Sequence, residues 1–179
     1  WSNRVDNWED FPDVRGTING SLGAEFDKFR RGLVTEFLTW QSNIVKEYAR
    51  PDQFITHNLD FEWRGYSYGV QPANNHFEIA REALTVAGCD IYHPTQDELT
   101  GAEIAFGGDM TRSLKQNNYF VLETEAQGYP CWTPYPGQLR QQAFSHVASG
   151  AAMVEYWHWH SIHNSFETYW RGLLSHDFK

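Results

Sequence analysis

Cysteine is nearly absent: the 179 residues hold two, Cys89 and Cys131, and no CxxC spacing occurs. Two such thiols build no disulfide framework and read as buried or incidental side chains. Cations are scarce too, with 14 Lys and Arg against 23 Asp and Glu, a formal charge of −9. Phosphate neutralisation needs clustered basic residues, so no nucleic-acid partner is expected. No apolar run approaches the ~20 residues of a membrane-spanning helix, and no membrane partner is expected. Internal repeats and low-complexity segments are also missing. The chain starts at Trp1 rather than Met, the pattern of a processed protein or of a piece of a longer one.

What is abundant is the aromatic ring. Eight Trp, nine Tyr and 12 Phe stand in a chain that is 41% hydrophobic and 21% charged, the composition of one globular domain. Rings at this density fill cores, but they also stack on the apolar faces of sugars.

Residues 1–20 show no periodicity and read as an irregular lead-in. Phe26, Phe29, Leu33, Phe37, Trp40, Ile44 and Tyr48 then recur at three- and four-residue spacing. That pattern predicts an amphipathic helix over 23–49, stopped by Pro51, with Phe37 and Trp40 in the core. A short strand is predicted at 54–56, ending at His57 and Asn58. Residues 59–72 read as a long loop, and Asn74 or Asn75 caps a short helix through Leu84. A strand over 86–92, a Thr100-capped helix over 101–115 weakened by Gly107 and Gly108, and a strand from Tyr119 into Glu123 follow. A Pro/Gly-rich loop, a helix over 138–148 and a strand over 152–157 complete the order.

Strands alternating with helices imply βαβ units and a parallel sheet, so the expected fold class is α/β. Polar and aromatic side chains gather just after each strand, at His57 and Asn58, Asp90 to His93, Glu123 and Glu125, and His158 to His160. Carboxyl ends of parallel strands are where such folds carry chemistry. Four strands are too few to close a (β/α)8 barrel of ~250 residues, which leaves a small open sheet or part of a barrel.

Glu123, where an apolar strand meets a loop, suits a nucleophile or an acid/base group, and equally a solvated loop acid. Glu125, two residues on, would project to the same side in extended backbone. His158 and His160 have metal-ligand spacing, but such pairs also line metal-free polar pockets. Trp132, Tyr135, Trp157, Trp159 and Trp170 share loops with Glu, His and Asn, the mixture that sugar recognition requires. Read on residues alone, the function stays open between a glycosidase, a non-catalytic carbohydrate-binding module and a metal-dependent hydrolase using His158 and His160.

The run from Val121 to Asp177, beginning VLETEAQGYPCWTPYPGQLRQQAF, resembles the β-galactosidases of glycoside hydrolase family 42. So do DIYHPTQDELTGAEIAFGGDMTRSLKQNNYF, RPDQFITHN and the opening WSNRVDNWEDF, which together span nearly the whole chain. The resemblance implies a (β/α)8 barrel and a retaining hydrolase with two catalytic glutamates acting on galactosides, with neither cofactor nor metal. It matches Glu123 to the nucleophile that ends strand seven. It matches Tyr92 to a strand-six tyrosine contacting that nucleophile, with Asp90 beside it, and Trp159 to the strand-eight tryptophan of the sugar pocket. Trp132 corresponds to the aromatic residue after the nucleophile, and Glu167 to a glutamate binding galactose hydroxyls. Trp170 stands where a histidine is usual, and His158 and His160 where arginines are.

The family's acid/base glutamate follows an asparagine at the end of strand four, and this sequence has no Asn-Glu pair. The resemblance therefore implies a partial barrel over 1–179, from the region after strand four through strand eight. The isolated chain is then expected to be inactive, and its parent to be a cytoplasmic homo-oligomer, trimeric as the family is.

Overall fold

The computed structural model describes residues 4–14, 20–61, 74–127 and 133–179. Among them, seven elements follow in order: α1 (Gly20–Tyr48), α2 (His76–Glu82), β1 (Gly88–Asp90), α3 (Ala102–Lys115), β2 (Tyr119–Glu123), α4 (Gln138–Ala148) and β3 (Ala151–Val154). One-turn 3-10 helices stand at Trp8–Asp10 and Gln96–Glu98.

The strands form one parallel sheet in the order β1-β2-β3. Sequential strands added in one direction through right-handed crossovers keep their helices on one face. That face carries Cys89, Tyr119, Val121 and Ala151, and it closes over Ile79, Ala80, Ala83, Leu84 and Leu114 of the helical layer. Lys115 donates to the carbonyls of Ala80 and Leu84 at 2.8 and 2.7 Å, placing a cation at the negative end of α2.

Two expectations need correction. Residues 54–56 are not a strand. Phe54 stacks edge-on against Phe120 at 4.9 Å, and the segment lies beside β1, but through few backbone bonds. Ile55 O accepts from Thr85 N and Leu59 O from Asp90 N, at 2.9 and 3.0 Å, too sparsely for a ladder. Gly88 is what admits the segment: a Cβ there would press on Leu122 and on the Thr56 hydroxyl, and lie 2.8 Å from His57 O. The helix α1 is also turned the other way. It docks through Val34, Thr35, Leu38 and Ser42, whose hydroxyl donates to Ala83 O at 2.6 Å. At 3.6 residues per turn, the stripe Leu33, Phe37, Trp40, Ile44 and Tyr48 lies on the opposite face. Phe37 is 54% and Trp40 58% exposed, so neither joins the core.

The remaining elements match their expected places with shifted ends, except that the N-cap of α3 is Gly101 rather than Thr100, whose hydroxyl accepts from Ala102 N at 3.2 Å. The cap of α2 is Asn75, whose side chain accepts from Glu78 N at 3.2 Å. The predicted strand over 86–92 is regular only across 88–90. β3 begins one residue early, at Ala151, and loses regularity after Val154, although Trp157 still bridges to Glu125.

Gly108, inside α3, has a packing reason. A Cβ on Gly108 would collide with the Tyr119 hydroxyl and stand 2.8 Å from Ser149 Cβ. Alanine is better than glycine in a helix by about 1 kcal/mol, but overpacking costs about 1–3 kcal/mol. Gly108→Ala is therefore expected to lower stability by about 1 kcal/mol, read as a reduced urea midpoint. A raised midpoint would show that this crossing has slack.

Candidate active site

The chemistry-bearing residues converge where β1 and β2 end. Their parallel register runs Gly88 to Phe120 and Cys89 to Val121, then slips by one so that Asp90 faces Glu123. Leu122 is the extra residue. Bulges of this kind re-aim side chains at the ends of strands. Ile91 N donates to Glu123 O at 3.0 Å, fixing the backbone just past the bulge.

Around Glu123 stand two polar neighbours, with a third behind one of them. The Tyr92 hydroxyl hydrogen-bonds its carboxylate. Burial, followed by the charges of Glu123, Asp90 and Glu125, pushes the Tyr92 phenol far above its ordinary range, so it remains a donor. Asp90 also hydrogen-bonds Glu123, and Asn58 Nδ2 donates to Asp90 Oδ1 at 2.9 Å. Burial first, and then Glu123, raise the Asp90 carboxyl to about 8, although Asn58 opposes the shift.

Glu125 does not join this group. Regular strand ends at Glu123, so the two-residue alternation does not carry on, and Glu125 is 2% exposed. Its Oε1 accepts from His93 N at 3.3 Å and lies 3.0 Å from His93 Nδ1. The Thr124 hydroxyl lies 3.1 Å from its Oε2. Burial raises the Glu125 carboxyl and the neighbouring His93 opposes it. This buried contact ties the loop after β1 to the loop after β2.

The outer parts of the site come from the C-terminal loops. Trp170 packs its ring on Tyr92 with centroids 5.5 Å apart, and its amide donates to Glu167 O at 3.0 Å. The Glu167 side chain is exposed. Trp159 is 68% exposed and accepts through its carbonyl from Leu174 N. Trp157 continues the β2–β3 pairing, with its amide 2.7 Å from Thr124 O and its carbonyl 3.3 Å from Ala126 N. Trp132 and Cys131 lie outside the described residues. Gln96 and Gln138 exchange amide bonds of 2.9 and 2.8 Å, joining the loop after β1 to the start of α4.

His158 and His160 meet edge to face at 5.3 Å, and burial and His160 hold His158 below its ordinary pKa. Among the described residues, no group of three His, Cys, Asp or Glu is placed to hold a metal ion.

Asn58 and His93 stood out in the sequence only as strand-end residues without a role, and Trp157 only among the loop aromatics. All three stand at or just beyond a predicted strand end, the position that singled out Glu123.

A parallel sheet with helices on one face and a carboxylate-and-aromatic cluster at its strand ends makes this an α/β protein with its polar groups gathered at the strand ends. The chain belongs to glycoside hydrolase family 42, the β-galactosidases, whose family model matches residues 1–179. β-Galactosidase BgaA of Clostridium cellulovorans is 29% identical over 98% of this chain and 27% of its own length. β-Galactosidase LacA of Lactobacillus acidophilus is 24% identical over 98% of the chain and, again, 27% of its own length. The chain thus spans about a quarter of the curated relatives it matches. Among solved structures, Gan42B, a family 42 β-galactosidase from G. stearothermophilus, superposes with a TM-score of 0.81 at 20% identity. That match covers 100% of this chain and 27% of the other. The β-galactosidase from Bacillus circulans sp. alkalophilus gives 0.77 at 21% identity, also over 100% and 27%. The parallel α/β fold expected from the sequence is the fold of these proteins.

One buried histidine beneath the site generates a pH prediction. His146 of α4 is fully buried, with its ring 5.8 Å from that of His93. Burial, reinforced by His93, lowers its pKa from 6.5 to about 3. Between those values the unfolded chain binds a proton that the folded one refuses. Its contribution is therefore intact above pH 6.5 and is lost as the pH falls towards 3. At pH 5 the loss is about 2 kcal/mol. Denaturant titrations at pH 7 and pH 5 should show a smaller acid-induced drop in His146→Gln than in the parent. Equal drops would exclude this source.

Proposed function

We propose that this chain carries the nucleophile side of a retaining β-galactosidase site. In this reading Glu123 attacks the anomeric carbon of a terminal β-galactosyl group. The observation that carries it is the donor set on Glu123: a tyrosine hydroxyl that stays protonated and a neighbouring carboxyl, both at strand ends. The names of the curated relatives support a galactoside as the substrate.

The reaction forms a bond from a Glu123 oxygen to the sugar carbon as the glycosidic carbon–oxygen bond breaks. The departing oxygen takes a proton from a second carboxyl, and water later releases the sugar. Retention requires the two carboxyls about 5–5.5 Å apart, across the scissile bond. Asp90 is a poor candidate, because it is hydrogen-bonded to Glu123 and leaves no room for a sugar between them. Glu125 is poorer, being buried against His93. We therefore assign the acid/base group to a residue outside these 179. The three strands and the segment beside β1 are then strands five to eight of a (β/α)8 barrel. The superposition covers 27% of Gan42B, which supports reading the chain as part of a larger fold.

Trp170, packed on Tyr92, offers a sugar-stacking face in this reading, and Trp159 and Glu167, on the same C-terminal loops, are assigned to the sugar as well. A cytoplasmic, homo-oligomeric parent belongs to the same proposal.

An activated 2-fluoro-galactoside, whose leaving group needs no acid, tests the assignment on the 179-residue chain. Mass spectrometry is expected to find the adduct on the Glu123 peptide, and none in Glu123→Gln. An ordinary aryl β-galactoside should show no enzyme-like turnover. An adduct on Glu125 or Asp90, or turnover within tenfold of ~10 s⁻¹, would overturn the division of roles.

A further inference from the structure

Two carboxyl groups in hydrogen-bond contact cannot both be ionised without strong repulsion. Asp90 and Glu123 are such a pair, and their surroundings are unequal. Glu123 has the Tyr92 hydroxyl as a donor in addition to Asp90. Asp90 has one amide, the Asn58 Nδ2 that donates to Oδ1 at 2.9 Å. With Oδ1 occupied as an acceptor, Oδ2 is the oxygen free to carry a proton towards Glu123. Backbone bonds hold both members, from Asp90 N to Leu59 O and from Ile91 N to Glu123 O, each 3.0 Å. The slip in register at Leu122 is what sets them face to face.

We propose that Asp90, set against Glu123 by the slipped register and clamped by Asn58, is a positioning residue that keeps the shared proton and donates it to Glu123, holding that side chain aimed. The role in catalysis rests on Glu123 being the nucleophile, whereas the shared proton does not. Among the described residues, the charged and titratable groups facing Asp90 are Glu123 from β2, Tyr92 from beyond its own strand, Asp60 from the segment beside β1, and the neighbouring Cys89. Both carboxylates and burial favour the protonated acid, whose pKa stands at about 8. Above that pH, Asp90 ionises, Glu123 loses a donor and the two charges repel.

Carbon-13 NMR of the carboxyl groups, followed from pH 3 to 10 on the 179-residue chain, reads the proton directly. Asp90 should stay protonated to about pH 8. In Glu123→Gln its midpoint should fall by about two units or more, since the repelling charge is gone. Ionisation of Asp90 below pH 5 in the parent, or an unchanged midpoint in Glu123→Gln, would overturn the shared proton.

The second arm follows the rate of labelling by the 2-fluoro-galactoside against pH. The parent should lose rate above about pH 8. Asp90→Asn, which still donates but no longer titrates, should label within roughly threefold of the parent and lack that alkaline fall, whereas Asp90→Ala should be slower by roughly tenfold or more. Equal rates for Asn and Ala, or an alkaline fall that persists in Asp90→Asn, would overturn the positioning role. Should Glu123 take no label in the parent while the titration behaves as stated, the nucleophile assignment fails and the positioning role falls with it, but the shared proton stands.

Discussion

The slipped pairing of β1 with β2 is the constraint on which the site depends. An unbroken parallel register would set Asp90 against Leu122 and leave Glu123 one step further along. One extra residue on β2 brings two carboxyls together and still lets the ladder continue into Ile91. Gly88 belongs to the same arrangement. Without a Cβ it receives both the Leu122 side chain and the backbone of His57, which brings Asn58 within reach of Asp90. The glycine, the bulge and the asparagine are thus one unit. A change at any of them would be felt at Glu123 before it was felt in the core.

Below that unit lies a second one built on different physics. Glu125 and His93 are almost without solvent contact and hold each other through two nitrogen–oxygen approaches. A buried, paired carboxylate is weak evidence for stability, because desolvation offsets much of the attraction. Its value here is geometric: His93 follows Tyr92 directly and Glu125 stands two residues after Glu123. Anchoring the first pair fixes where the second can go. Two glutamates separated by one threonine therefore have opposite surroundings, one open to donors and chemistry, the other closed.

The fold class was legible because alternation of strand and helix is a property of local sequence; α2 followed from its cap, and α3, β2 and α4 lie where they were expected, α3 without the expected Thr100 cap. What failed depended on neighbours. The 54–56 segment has the residues of a strand, but pairing is a matter of what lies beside it, and Gly88 lets it in without forming a ladder. The stripe through Leu33, Phe37, Trp40 and Ile44 is a real periodicity, yet periodicity names a face without naming its partner. The helix buries Thr35 and Ser42 instead, because Ser42 can satisfy Ala83 O where an aromatic ring could not. In the site, strand-end position was the informative signal. It gathered Asn58, Asp90, Tyr92, His93 and Glu123, although by itself it gave Asn58 and His93 no role. The burial of Glu125 was not legible, since alternation presumes a strand that the backbone ends two residues earlier.

Three ionisable groups around the strand ends are held from their charged forms: Asp90, Glu125 and His146. Their effects on folding do not run in parallel. The carboxyls, with raised values, favour the folded chain at low pH and withdraw that support as pH rises through those values. The histidine does the reverse, giving full support only above its ordinary value. The two trends oppose each other between about pH 4 and 6.5, so no single pH relaxes all three groups. A site assembled from such groups draws on the apolar layer beneath it. The helices over Cys89, Tyr119 and Val121 supply burial that does not change with pH. That separation, titrating groups at the strand ends and non-titrating packing on the helical face, lets the site hold protons in unfavourable places without unfolding the sheet that carries it.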